Sequence, residues 1–289
     1  MFKLAVLSGK GGTGKTTVSS ALFALSGNSI IADCDVDAPD LHIILHPEIR
    51  ESGDFIGGAK AVLDADKCVS CGICAGCCAF LAIKDRSGNI VINPSACEGC
   101  GLCAKLCPAG AISMRRFKSG EWHVSNTKYG IMTHALLFPG EENSGKLVRL
   151  IKDKAHDEAD RSKAGLVLYD GPPGIGCSVI STLSGSDAVL AVTEATVSGK
   201  NDLKRLYELI EHFKLRFILC INKHDLNSGI SADMEIFGRK YGALGTFKIP
   251  YDDAVINSIR NREIILKTKG PAVDAVMALY ELIKMRLLS

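Results

Sequence analysis

Residues 9–16, Gly-Lys-Gly-Gly-Thr-Gly-Lys-Thr, stand between the apolar run KLAVLS (3–8) and the helix-forming stretch TTVSSALFAL (16–25). A buried strand, a glycine turn and a helix in immediate succession leave little choice of fold: this is the opening βα step of a parallel sheet. The spacing is G-x4-G-K-[ST], and each part of it has a physical reason. Glycines let successive backbone N–H groups converge on phosphate oxygens, and the helix N-terminus adds a favourable field for an anion. Lys15 is then placed to reach β- and γ-phosphates, and the Thr16 hydroxyl to ligate Mg²⁺. A plain glycine turn opening a helix would need neither side chain.

The rest of the chain repeats the alternation. A second strand is expected at 29–34. The runs GLVLYD (165–170), DAVLAVT (187–193), FILCIN (217–222) and ALGTFKIP (243–250) follow, separated by helical stretches. Residues 143–162 read as a polar amphipathic helix, and 272–288 as an amphipathic helix packed on the sheet. The fold class expected is therefore α/β, a mostly parallel sheet flanked by helices. From about residue 66 to 112 cysteine and glycine replace hydrophobic periodicity, and 113–138 contains short strands and turns. The organisation expected is a nucleotide domain in two parts, 1–64 and 119–289, with a module inserted at 65–118.

Nine of the twelve cysteines lie between Cys68 and Cys107, which leaves only Cys34, Cys177 and Cys220 elsewhere. Regularly spaced cysteines in a chain with the texture of a cytosolic enzyme read as metal or cluster ligands rather than disulfides. The runs are Cys68-x2-Cys71-x2-Cys74-x3-Cys78 and Cys97-x2-Cys100-x2-Cys103-x3-Cys107-Pro108. Soft thiolates suit iron, and three cysteines on one tight loop can grip three corners of a cube; paired zinc sites are the alternative. The duplicated spacing resembles bacterial two-cluster ferredoxins. That resemblance implies an α+β module with two [4Fe–4S] clusters, each taking its fourth ligand from the other repeat. One cluster is then held by Cys68, Cys71, Cys74 and Cys107, the other by Cys78, Cys97, Cys100 and Cys103. The chain departs from the pattern in two places. Cys77 adjoins Cys78, so the register can slip by one, and Ala79 stands where proline is usual.

Lys10 makes the phosphate loop unusual. KGGTGKTT (10–17) resembles the deviant Walker A loop of the MinD/ParA/Mrp and nitrogenase iron-protein superfamily. The resemblance implies that Lys10 crosses a dimer interface to the partner's nucleotide and that ATP brings two subunits together. Asp33-Cys34-Asp35 resembles the family's switch I, by which Asp35 positions the attacking water and Asp33 supports Mg²⁺; Asp37 and Asp40 nearby read equally as helix caps. LVLYD-GPPG resembles switch II, with Asp170 holding Mg²⁺ through water and residues 171–174 free to move. Asn222-Lys223-His224-Asp225 resembles a base-reading loop, and Asp225 there could suggest guanine. In this superfamily Asn222 and the Pro250-Tyr251-Asp252 loop surround adenine, so ATP is expected. The candidate set is Lys10, Lys15 and Asp35 for catalysis, and Gly11, Gly12, Thr13, Gly14, Lys15, Thr16, Thr17, Asn222, Pro250 and Tyr251 for nucleotide. Thr16, Asp33 and Asp170 are the candidates for Mg²⁺.

A second G-x4-G-K match at 140–146 places two glutamates in the loop and Leu147 where the metal-binding hydroxyl belongs. Like charges repel phosphate, so it reads as a helix start capped by Asn143 or Ser144. Cys34, Cys177 and Cys220 read as structural thiols. A net charge of +2 gives no sign of nucleic-acid binding, and no apolar run reaches the roughly 18–20 residues of a membrane span. The N-terminus lacks the features of a signal peptide, so a cytoplasmic location is expected. Together these readings point to an ATP-promoted homodimer that gates electron transfer between redox proteins still to be identified. The alternatives are cluster assembly, as in Mrp-type relatives that use C-terminal cysteines absent here, and MinD/ParA-like spatial positioning.

Overall fold

The computed structural model describes residues 1–141 and 144–288, and these divide into two compact units. The larger unit comprises Met1–Gly53, Trp122–Leu136 and the chain from Ser144 onward; the smaller comprises Asp54–Glu121 and the segment that begins at Leu137.

The strands, in chain order, are β1 (Phe2–Ser8), β2 (Ser29–Asp33), β3 (Glu48–Phe55), β4 (Gly58–Leu63), β5 (Ile83–Arg86), β6 (Asn89–Ile92), β7 (Ile112–Phe117), β8 (Gly120–Thr127), β9 (Gly130–Leu137), β10 (Leu166–Pro173), β11 (Ala188–Glu194), β12 (Arg216–Asn222) and β13 (Thr246–Ile249). The helices are α1 (Lys15–Ser26), α2 (Leu41–Leu45), α3 (Ile73–Gly76), α4 (Leu102–Leu106), α5 (Ser144–Ser162), α6 (Cys177–Leu183), α7 (Val197–His212), α8 (Ser228–Lys240), α9 (Asp253–Arg260) and α10 (Pro271–Ile283). Nine strands form one sheet in the order β13-β12-β11-β1-β10-β2-β9-β8-β3. The seven from β13 to β9 run parallel. β8 and β9 are joined by the two residues Lys128 and Tyr129, a connection short enough only for an antiparallel hairpin.

β1 explains why the middle of this sheet reads as a continuous apolar run. Leu4, Ala5, Val6 and Leu7 are all fully buried, because helices cover both faces and neither set of alternating side chains meets water. One face carries Leu4 and Val6 with Leu168, Leu190 and Ile218, packed against Val18, Leu22 and Phe23 of α1 and Val276, Leu279 and Ile283 of α10. The amphipathic segment at 272–288 thus spends its apolar stripe on the sheet; α10 ends at Ile283 and a wider turn follows. On α5, Lys152 reaches the C-terminal end of α6. Its Nζ donates to the carbonyls of Ser181 (2.7 Å), Thr182 (2.9 Å) and Ser184 (2.6 Å), where helix carbonyls lack partners. Burial lowers this lysine to about 8.

Two features of the large unit were not legible beforehand. β3 lies at the sheet edge with a polar sequence, EIRESGDF, that carries no apolar alternation. β10 continues three residues past Asp170 through Gly171, Pro172 and Pro173, expected as mobile loop; after an irregularity in register Pro173 pairs with Ser8. Leu7 presses so close to Gly171 that any Cβ there would meet its Cδ2 at 2.2 Å.

In the smaller unit β4 pairs antiparallel with β7, and β5 with β6. Its core is small: Ala61, Ile83, Ile90 and Ile112 with two cysteine side chains, Cys74 of α3 and Cys103 of α4. Those two short helices start alike, each after a glycine in left-handed conformation, Gly72 at φ 73° and Gly101 at φ 76°. The sequence repeat is therefore also a repeat of local structure.

Candidate functional site

The C-terminal ends of five adjacent parallel strands deliver the site of the larger unit, where open α/β sheets bind their ligands. β1 ends at Ser8 and leads into the phosphate loop; β2 ends at Asp33, β11 at Glu194 and β12 at Asn222, while β10 carries Asp170.

The loop is held from outside by β12. Asn222 Nδ2 donates to the Thr13 carbonyl at 2.7 Å, and Lys223 Nζ to that of Gly12 at 3.4 Å. Gly14 caps α1 at φ 90°, a conformation suited to glycine, and lies hard against the Asn222 amide. Asn222 thus touches the phosphate loop directly. The other residues expected around the base bond among themselves and to helix ends. Asp225 accepts from the Tyr251 N–H at 2.8 Å, and the exposed Tyr251 ring directs its hydroxyl to Asp253 at 3.1 Å. Asp252 is a helix cap: it accepts from Ala254 N at 2.8 Å and from Ala272 N at 3.1 Å.

Lys15 is buried and its Nζ lies 2.9 Å from Asp170 Oδ1. Burial works against its charge, but the Asp170 carboxylate outweighs it and holds the ammonium above the ordinary lysine range. Among the described residues Asp170 Oδ2 is buried without a hydrogen-bond partner, and so is Thr13 Oγ1 in the loop itself. A buried carboxylate oxygen and a buried hydroxyl left unpaired beside a phosphate loop are the expected gaps for a cation with its waters and for a phosphate oxygen. The donor set therefore fits Mg²⁺ and nucleotide. Thr16 Oγ1 donates to Asp40 Oδ1 at 3.2 Å; Asp40 makes no side-chain cap on α2, so its expected role as a plain cap does not hold.

Asp33 is fully buried, and burial, reinforced by the Asp170 carboxylate, pushes its carboxyl well above the usual range. Both of its oxygens are committed to backbone, accepting from Asp35 N at 3.2 Å and Leu41 N at 3.3 Å. It shapes the loop that carries Asp35. Asp35 is half-buried, and burial raises its carboxyl to about 6.

Lys10 turns toward the end of β11. Its Nζ pairs with Glu194 Oε1 at 2.5 Å and donates to Ser198 Oγ at 3.0 Å; Lys223 approaches Glu194 Oε2 at 3.4 Å. Burial opposes ionisation of Glu194, yet the two lysines hold its carboxyl below the usual value. Sequence reading missed Glu194, because it lies 184 residues from Lys10 and belongs to no motif; only the strand order β11-β1 brings them together.

In the smaller unit, Cys77, Cys78, Cys97, Cys100 and Cys103 line one narrow apolar cavity of about 20 Å³ with Phe80, Ile83, Leu102 and Met114. All the cysteines are free thiols. Backbone N–H groups point at two of the sulfurs, Ala61 N to Cys97 Sγ at 3.4 Å and Ala111 N to Cys107 Sγ at 3.3 Å; the second bond is the main reason the Cys107 thiol falls below its ordinary value. A thiol-lined apolar cavity with N–H···S bonds suits an iron–sulfur cluster. Among the described residues no three His, Cys, Asp or Glu converge as ligands to a single ion.

Cys34 and Cys220 are buried in the larger unit, with thiols pushed up to about 12 by burial, whereas Cys177 is exposed at the start of α6. In the second G-x4-G-K match Glu141 pairs with Lys60 at 2.5 Å, and Leu147 is buried in α5. Glu142 and Asn143, including the expected Asn143 cap, lie outside the described residues. Among the described residues no helix is long and apolar enough to cross a membrane.

Residues 4–265 match the family model described as the CobQ/CobB/MinD/ParA nucleotide binding domain. Two uncharacterized proteins of Methanocaldococcus jannaschii, MJ0578 and MJ0579, are similar along nearly their whole lengths. The first is 33% identical, covering 98% of this chain and 97% of its own; the second is 27% identical, covering 92% of each. Among solved structures, the cell division ATPase MinD of Pyrococcus furiosus superposes with a TM-score of 0.58 at 17% identity, covering 98% of both chains. MinD of Pyrococcus horikoshii, solved with Mg-ADP, gives 0.59 at 15% identity, covering 99% of this chain and 98% of its own. At such identities the likeness speaks for the fold alone.

Proposed function

We propose, since this chain belongs to the CobQ/CobB/MinD/ParA nucleotide binding domain family, that it is a Mg²⁺-dependent ATPase coupling ATP turnover to electron transfer through two [4Fe–4S] clusters in its smaller unit. The observation that carries the reading is the pairing, in one chain, of a phosphate loop beside unpaired buried oxygens with a second unit built around cysteine side chains.

In this reading Lys15 leaves Asp170 for the β- and γ-phosphate oxygens, which frees the whole Asp170 carboxylate for the waters of Mg²⁺, while Thr16 turns its hydroxyl from Asp40 to the metal. Mg²⁺ supplies neutralisation of the charge that develops as the γ-phosphoryl group departs. Asp35, ionised above its raised pKa, orients the attacking water, and ATP and water become ADP and phosphate. Lys10 must give up Glu194 to reach the nucleotide of a second subunit, so pairing of subunits exchanges one ion pair for another. Cys68, Cys71, Cys74 and Cys107 would hold one cluster, and Cys78, Cys97, Cys100 and Cys103 the other. Held there, the clusters would supply one-electron transfer from a reduced protein donor to an acceptor. The module corresponds in this reading to 65–118, and the nucleotide domain to 1–64 and 119–289.

The test is Lys15→Ala in anaerobically purified protein. The reading expects loss of ATP hydrolysis and of ATP-dependent reduction of an acceptor, with visible cluster absorbance unchanged. Electron transfer that proceeds at the wild-type rate in this variant would overturn the coupling.

A further inference from the structure

Two four-thiolate clusters use eight of the nine cysteines between Cys68 and Cys107, and the one left over is Cys77. The second repeat shows that the architecture does not need a cysteine there. Leu106 stands at the same offset from Cys103 as Cys77 does from Cys74, and it is exposed. Cys77 nonetheless is not turned away from the chemistry. It lines the same cavity as Cys78, Cys97, Cys100 and Cys103. The ninth thiol therefore belongs with the second group of sulfurs. The Cys77 thiol is weakly held: Sγ donates to the Cys74 carbonyl at 3.5 Å, at the end of α3.

We propose that the second cluster site is a five-thiol site in which Cys77 serves as an exchange ligand, able to replace Cys78 on the same iron. The two residues are adjacent and both line the cavity, so the exchange needs a local rotation of the chain at 77–78 rather than a rearrangement of the unit. The step balances. Cys77 loses its thiol proton and forms an Fe–S bond, the Cys78–iron bond breaks, and the Cys78 thiolate takes a proton. No electron is gained or lost, and the cluster keeps four thiolates throughout. Such a site tolerates loss or modification of one ligand.

This inference rests on the iron–sulfur reading, and the test separates the two. Iron and acid-labile sulfide are measured per chain, with low-temperature EPR of the reduced protein, for wild type, Cys77→Ser, Cys78→Ser and Cys77→Ser/Cys78→Ser. Wild type carrying two clusters supports the reading, and wild type carrying none overturns both. Given two clusters, the proposal expects each single variant to keep its full iron content, with an altered EPR signal in Cys78→Ser. The double variant should lose half its iron while the signal of the first cluster persists, which also reports that the unit is folded. Loss of half the iron in Cys78→Ser alone overturns the exchange, as does full iron in the double variant.

Discussion

Gly14→Ala tests whether the phosphate loop is fixed by the fold or only by its ligand. At φ 90° an alanine is held in the left-handed region, which costs about 1–2 kcal/mol. The new Cβ would stand 2.3 Å from Asn222 Nδ2, an impossible distance, so the amide must leave. Its 2.7 Å bond to the buried Thr13 carbonyl goes with it, and unpaired buried groups cost about 1–3 kcal/mol. The sum is a destabilisation of about 2–5 kcal/mol from one methyl group. Gly11→Ala is the control: nothing lies within 4 Å of its added Cβ and its φ is outside the left-handed region, so a change within about 0.5 kcal/mol is expected. Urea unfolding followed by the fluorescence of Trp122, the only tryptophan, reports on the larger unit, of which it is part. Equal midpoints for the two variants would refute the reasoning, since they would mean that neither the backbone conformation nor the Asn222 contact holds the loop.

Three further outcomes follow from the same geometry. Asp35, raised to about 6 by burial, sits above its unfolded value near 3.9, so the folded state holds this proton more tightly; its contribution to stability grows as pH falls from 7 to 4, while ATP turnover falls as pH drops through about 6. A turnover profile flat from pH 5 to 8 would remove Asp35 from the mechanism. Glu194→Gln changes stability by less than about 1 kcal/mol, because the Lys10 pair is partly exposed. It should nonetheless lower the ATP concentration at which sedimentation detects paired subunits, and an unchanged requirement counts against release of Lys10 as a step. Leu81→Gly should stabilise the smaller unit by about 0.5–1 kcal/mol, because Leu81 is 77% exposed at φ 53° where the second repeat has Gly110 at φ 61°. A lower urea midpoint in cluster absorbance would show that the leucine side chain packs after all.

The parallel sheet could be read in advance because its strands are buried on both faces and therefore appear as unbroken apolar runs, as in β1, β11 and β12. β3 could not, because an edge strand with charged residues looks like a loop until its neighbour is known. The same divide runs through the site. Lys15, Thr16 and Asp170 stand in motifs whose spacing is set by the phosphate loop and a strand end. Glu194 and the Asp40–Thr16 bond depend on which strands become neighbours, and no local pattern encodes that. Asp33 lay in the right place, but its two backbone bonds showed only once the turn back to Leu41 was visible. The cysteine spacing gave the eight expected ligands; that Cys77 lines a cavity with four of them is a fact of packing.

The central claim is that nucleotide bound in the larger unit governs clusters in the smaller. The most direct measurement is an EPR and absorbance redox titration of anaerobically purified protein, without nucleotide, with Mg-ADP and with a non-hydrolysable ATP analogue. The account predicts signals of two [4Fe–4S] clusters, at least one of which shifts in potential or line shape when the ATP analogue binds. Protein that binds the analogue but carries no iron and sulfide, or whose two clusters titrate identically in all three conditions, would contradict it.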